Sequence, residues 1–162
     1  MSTVQLDKFS NIATPAMGFP MRQILQRYCK DYDVPLKVAL EHERELKRYL
    51  MMSALNPDAN YGIAGQVDNL WHTFILFTKE YVEFCNMVAG RFIHHVPSTD
   101  DTKKSECAKG YNRFLVDYKV VFRESPPKHV WPRIVKQDPR KHKQSGISCG
   151  TGCGSTCYKV VV

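Results

Sequence analysis

The sequence has no long apolar run: none approaches the roughly 20 consecutive apolar residues that a helix needs to cross a bilayer. The first nine residues also lack the basic stretch followed by an apolar stretch that marks a secretory peptide. Both absences favour a cytoplasmic protein that makes no membrane contact.

Well-known enzyme motifs are missing too. The chain has neither a Gly-Lys-Ser/Thr phosphate loop nor a His-Glu-x-x-His zinc motif. No internal repeat is evident. No reaction or substrate follows from the sequence, so whether the protein is an enzyme stays open at this stage.

Size and composition indicate a single globular domain. The 162 residues are 43% hydrophobic and 24% charged, which is typical of globular proteins, and the chain is long enough to bury a core without disulfides. We expect an N-terminal extension over residues 1–18, a helical domain over residues 19–132 and a tail over residues 133–162.

The net charge of +7 is concentrated near the C-terminus. From Pro126 onward, seven lysines and arginines accompany a single acidic residue, Asp138. A basic tail can contact nucleic acid, an acidic ligand or a protein partner, or it can stay solvated and keep the protein in solution. The charge alone does not choose between these roles.

The same tail carries three evenly spaced cysteines, Cys149, Cys153 and Cys157, separated by glycines that disfavour a stable helix. Thiolates in such a segment can fold around a soft metal ion, with His142 as a fourth ligand. The spacing lacks the Cys-x-x-Cys knuckle of strong zinc sites. A flexible tail with incidental or redox-active thiols is therefore the alternative.

Apolar residues recur every three to four positions through the central part of the chain, which predicts an all-α fold, a single compact bundle of about five helices. The expected helices cover about residues 20–30, 35–52, 66–77, 78–90 and 105–124. A short extended segment is expected near residues 92–97, because Val96 precedes a proline and the segment is rich in β-branched and aromatic residues.

Local signals assign roles within these helices. Pro20 is expected in a first turn, Thr78 as an N-terminal cap and Gly90 as a helix end. The apolar stripe of the second helix is expected to contain Leu36, Leu40, Leu46 and Leu50. Glu43 lies within that stripe, where it can pair with Lys47 at the surface edge or serve a site as a buried carboxylate.

Residues 66–97 form the most unusual block of the sequence. Apolar residues cover most of the third helix and leave Asn69 and Thr73 as its water-facing side. Asp68 and His72 lie one turn apart and away from that side, so both should be partly buried. Such a pair is satisfied by mutual hydrogen bonding, by ligating a metal, or by the aspartate orienting the histidine as a general base.

A pair of histidines follows in the same block. Neighbouring side chains of an extended segment point to opposite sides, so only one of His94 and His95 can face Asp68 and His72. Two histidines and one carboxylate suit Fe(II), Zn(II) or Mn(II) and leave positions open to water or substrate. Cys85 is a candidate fourth ligand, with core packing as its alternative role.

The block also carries a family resemblance. The motif Asp68-x-x-Trp71-His72-Thr73, followed by Tyr81 and Cys85, resembles the repeated motif of the plant glycine-rich domain-containing proteins. The longer run to His94-His95-Val96-Pro97, with Pro126-Pro127 and Trp131-Pro132 further on, is more similar to small bacterial proteins of the same group. Phe74 departs from the plant motif, which commonly has a second histidine there. We expect Trp71 and Tyr81 to support the site structurally.

Two functions remain as hypotheses. The first is a divalent-metal-binding helical domain in which Zn or Fe is held by Asp68, His72 and one of His94 and His95. The second is a non-enzymatic interaction module, whose buried aspartate and histidine are structural and whose basic, Cys-rich tail contacts a protein partner or nucleic acid.

Overall fold

The structure is a computed structural model that describes residues 3–96 and 104–133, with residues 3–8 and 104–106 described for their backbone alone. This part of the chain contains six α-helices, a short 3-10 helix and no β-strand. The elements are α1 (Thr3–Gly18), α2 (Arg22–Tyr32), α3 (Leu36–Leu55), the 3-10 helix (Pro57–Ala59), α4 (Gln66–Leu76), α5 (Thr78–Ala89) and α6 (Lys104–Phe122). The all-α prediction is confirmed for these residues, with one helix more than expected. None of the six helices is long and apolar enough to cross a membrane.

The additional helix, α1, lies where the sequence predicted only an extension, and it contains Pro15. It packs against α3 and α5. The ammonium group of the buried Lys47 on α3 donates hydrogen bonds to the carbonyl oxygens of Met17 and Phe19, over 3.1 and 2.7 Å, and so satisfies groups that a helix end leaves open. Lys47 also pairs with Glu43 over 2.6 Å. Helix α3 therefore fixes the end of α1.

Helix α3 runs through the centre of the bundle and packs against α1, α2, α4 and α5. Leu46 and Leu50 are fully buried, as predicted, but Leu36 is 60% exposed and Leu40 is 52% exposed. The predicted stripe is therefore wrong in its first half. The residues that enter the core on this side are Ala39, His42 and Glu45. The side chains of His42 and Glu45 can be buried because Tyr28 and Trp131, from other parts of the chain, are their hydrogen-bond partners.

Two predicted helix starts are also wrong. The first hydrogen bond of α2 runs from the Leu25 N–H to the Met21 carbonyl oxygen, so Pro20 lies before the helix rather than in its first turn. The Phe77 carbonyl accepts from the N–H of Tyr81, so α4 gives way to α5 at Phe77 and Thr78 is already helical. The predicted end of α5 is confirmed, since Gly90 adopts the left-handed conformation with φ of 63°.

Helix α4 is rotated relative to the prediction. Thr73, expected to face water, is buried and donates a hydrogen bond to the Asn69 carbonyl oxygen over 3.1 Å. Leu76, one of the apolar residues that were expected to cover the rest of this helix, is 70% exposed. The hydroxyl of a helical threonine can be satisfied by the preceding turn, so burial costs Thr73 little. The buried residues of α4 are Val67, Leu70, Trp71, Thr73 and Phe74.

Residues 125–133 fold back from α6 onto α3. Glu45, which is fully buried, accepts hydrogen bonds from the Tyr118 hydroxyl over 2.9 Å and from the Trp131 indole N–H over 2.8 Å. The Tyr111 hydroxyl donates to the Pro132 carbonyl oxygen over 2.9 Å. This segment therefore covers the core next to α3 and α6.

Candidate metal centre

Asp68 and His72 project from the same face of α4, because they are one turn apart. Asp68 lies in the first turn of the helix. The side chains of Asp68 and His72 are 25% and 28% exposed, and Asp68 Oδ1 lies 3.8 Å from His72 Nε2. Both groups are thus partly buried and still open to water.

His95 joins them from the segment that follows α5. Its Nε2 lies 2.8 Å from Asp68 Oδ1, and its side chain is 11% exposed. The ring centroids of His72 and His95 are 4.4 Å apart. His94 points away, is exposed, and places its ring 4.9 Å from that of Phe92. Residues 92–96 form no regular strand, but their side chains alternate, and the structure brings His95 rather than His94 to Asp68.

The three side chains form a compact set of ligand atoms. One atom from each of Asp68, His72 and His95 lies within 4.8 Å of the others. No other group of three His, Cys, Asp or Glu residues in the described ranges comes as close. Bonds of about 2.0–2.2 Å from one ion place its ligand atoms roughly 3–3.5 Å apart. The observed 2.8 and 3.8 Å separations lie on either side of that range, so small side-chain rotations would admit an ion.

The protonation state of His72 also suits a ligand. Burial is the largest influence and lowers the pKa of His72; Asp68 raises that pKa, and His95 lowers it. The net effect is a lowered pKa, so the imidazole is neutral near pH 7. A neutral imidazole has the free lone pair that a metal ion requires.

Trp71 and Tyr81 lie next to the group formed by Asp68, His72 and His95. The Trp71 indole N–H donates to the Tyr81 hydroxyl over 3.0 Å, and the Trp71 ring meets the His95 ring edge-on with centroids 4.4 Å apart. Cys85 is fully buried and is not a member of the ligand group. Burial raises the pKa of the Cys85 thiol, so the thiol is neutral near pH 7 and packs in the core.

The second set of candidate ligands falls outside the described residues. It comprises His142, Cys149, Cys153 and Cys157. The three residues that the structure brings together were all sequence candidates. What sequence reasoning missed is the hydrogen bond from the Tyr81 hydroxyl to the Ile93 carbonyl oxygen, two residues before His95, because a bond to a backbone carbonyl leaves no signal in the sequence.

Comparison with known proteins gives a family. A family model described as UCP032817-like matches residues 19–119, a range that contains Asp68, His72 and His95. The match covers more than half of the chain, and the chain belongs to this family. No curated protein and no solved structure matches the chain.

Proposed function

We propose that this UCP032817-like protein binds one divalent transition-metal ion through Asp68, His72 and His95. The observation that carries the proposal is the convergence of one carboxylate oxygen and two imidazole nitrogens within 4.8 Å. His95 reaches this point from a segment separated from α4 by the whole of α5. Burying polar groups from two distant segments side by side is costly unless they bind each other or a shared ligand.

The donor set favours Zn(II) or Fe(II). Imidazole suits zinc and iron, whereas sites for calcium and magnesium are built from oxygen ligands. Two histidines and one carboxylate form the donor set of catalytic zinc sites and of non-haem iron sites, which keep positions open. The side chains of Asp68 and His72 are roughly a quarter exposed, so water or a small ligand can reach the open coordination positions of a bound ion. A bound ion would supply Lewis acidity there.

Several sequence predictions stay predictions. The relation to the plant glycine-rich domain-containing proteins rests on the Asp68 to Cys85 motif alone. Contacts of the basic tail with a partner or nucleic acid, and metal capture by its cysteines, concern residues 134–162 outside the described range.

The proposal is tested by metal content. Full-length protein without a His tag is loaded with zinc, dialysed and analysed by plasma mass spectrometry. We expect one retained zinc per chain, and loss of that zinc in Asp68→Asn and His95→Ala. His94→Ala is the matched control, since its side chain points away from the group, and it should retain zinc.

A variant with Cys149, Cys153 and Cys157 all replaced by serine separates the site from the tail. Zinc retained in this full-length variant supports the site on α4. Zinc lost in this variant but retained in His95→Ala contradicts the proposal and places the metal in the tail. Wild-type protein without zinc contradicts it as well and favours a structural hydrogen bond between Asp68 and His95.

A further inference from the structure

A hydrogen bond from α5 holds the backbone of Ile93, two residues before His95. The Tyr81 hydroxyl is bonded to the Ile93 carbonyl oxygen. Cys85 lies four residues after Tyr81, on the same face of α5, and is fully buried. The segment that carries His95 is thus tied to α5 through the Ile93 carbonyl oxygen.

The direction of this bond follows from the chemistry of the groups. The Trp71 indole N–H can only donate, so the Tyr81 oxygen accepts from it. The single hydroxyl hydrogen of Tyr81 is then free for the Ile93 carbonyl oxygen. Trp71 also contacts the His95 ring, with centroids 4.4 Å apart. Trp71, Tyr81, Ile93 and His95 therefore form one connected unit.

We infer that Tyr81 is a positioning residue, which holds His95 against Asp68 before any metal binds. Residues 91–96 have no helix or strand of their own, so their position depends on contacts of this kind. Two residues of chain span at most about 7 Å, and fixing Ile93 therefore confines His95. A ligand that is already in place loses less conformational freedom when an ion binds. This consequence for affinity rests on the proposed function, whereas the position of His95 does not.

The first test is zinc affinity of full-length Tyr81→Phe, measured by competition with a coloured chelator. The variant lacks only the hydroxyl, and we expect a loss of about 10- to 100-fold, the range for residues that orient metal ligands. Tyr118→Phe is the matched control: it removes the hydroxyl of another fully buried tyrosine, one that bonds to Glu45. Its zinc affinity should stay within about twofold of wild type, as for a distant site. Equal affinities for wild type and Tyr81→Phe would overturn the inference.

A double-mutant cycle shows whether the effect passes through His95. In a His95→Ala background, the weakened residual affinity should not fall further when Tyr81→Phe is added. A loss of the same size in both backgrounds would mean that Tyr81 acts only on general stability, which contradicts the inference.

The second test uses metal-free protein. In nitrogen-15 NMR spectra of the histidine rings, wild-type His95 should show an Nε2–H that donates to Asp68. Tyr81→Phe should move this signal toward that of the exposed His94, and Tyr118→Phe should not. An unchanged His95 signal in Tyr81→Phe overturns the inference. Wild-type protein that binds no zinc defeats the proposed function, and the NMR result then decides this inference alone.

Discussion

Glu45 is the buried carboxylate that joins α3 to Trp131, and its removal should be among the most damaging single substitutions. One oxygen, Oε2, accepts from the Tyr118 hydroxyl over 2.9 Å and from the Trp131 indole over 2.8 Å. The other, Oε1, lies 3.1 Å from Arg44 Nε and 3.4 Å from Arg48. The side chain of Glu45 is 0% exposed, so its hydrogen bonds lie away from bulk water.

The cost can be worked from these contacts. Glu45→Ala leaves the donors of Tyr118 and Trp131 without an acceptor, at about 1–3 kcal/mol for each buried group. It also removes one of the two carboxylates that pair with Arg48, while the other, that of Glu124, stays in place. The expected cost therefore comes mainly from the two buried donors. We expect Glu45→Ala to lower the free energy of unfolding by about 2–6 kcal/mol, and Glu45→Gln, which keeps one acceptor oxygen, by about 1–3 kcal/mol.

The assay is urea unfolding followed by circular dichroism, with m-values compared to exclude a change in the unfolded state. Glu41→Gln is the matched control on the same helix. Its pair with His129, at 2.9 Å, joins side chains that are 31% and 63% exposed, and exposed pairs contribute less than about 1 kcal/mol. Equal losses for Glu41→Gln and Glu45→Gln would refute the argument from burial.

Two further predictions concern pH and packing. Burial lowers the pKa of His42 from its ordinary 6.5; Glu41 opposes this shift, and His129 adds to it. The Tyr28 hydroxyl is also hydrogen-bonded to His42 Nδ1. The unfolded chain therefore binds more protons than the folded one, and stability should fall as pH drops below about 7. Urea titrations of wild type and His42→Gln should show a weaker pH dependence in the variant, and identical slopes would contradict this. A Cβ on Gly110 would meet the Asn60 carbonyl oxygen and approach the Gly62 N to 2.9 Å, so Gly110→Ala should cost about 1–3 kcal/mol. Gly18→Ala, which meets nothing within 4 Å, is its control and should lie within about 0.5 kcal/mol of wild type by thermal unfolding.

The apolar spacing in the sequence was sufficient to predict five of the six helices, because periodicity is a local property. It failed where burial is decided by distant partners. Nothing near Glu45 indicates that Tyr118 and Trp131, 73 and 86 residues further on, will satisfy a buried carboxylate. The pattern of α3 therefore favoured Leu36 and Leu40 for the core, although both are exposed.

The candidate site, like the fold, could be predicted only as far as local spacing determines it. Helical spacing placed Asp68 beside His72, and side-chain alternation showed that one of two adjacent histidines could join them. The choice of His95 depends on how α5 holds Ile93, a long-range backbone contact. Cys85 illustrates the same limit, since its type fits a ligand while its position on α5 directs it to the core.

The most direct measurement of zinc coordination by Asp68, His72 and His95 is X-ray absorption at the zinc edge of the zinc-loaded, full-length protein. We expect a first shell of nitrogen and oxygen at about 2.0–2.2 Å with the outer-shell pattern of two imidazoles. That pattern should disappear together with the zinc in His95→Ala and stay unchanged in His94→Ala. Sulphur at about 2.3 Å in the first shell, or an imidazole signal that survives the loss of both His72 and His95, would contradict zinc binding at this site.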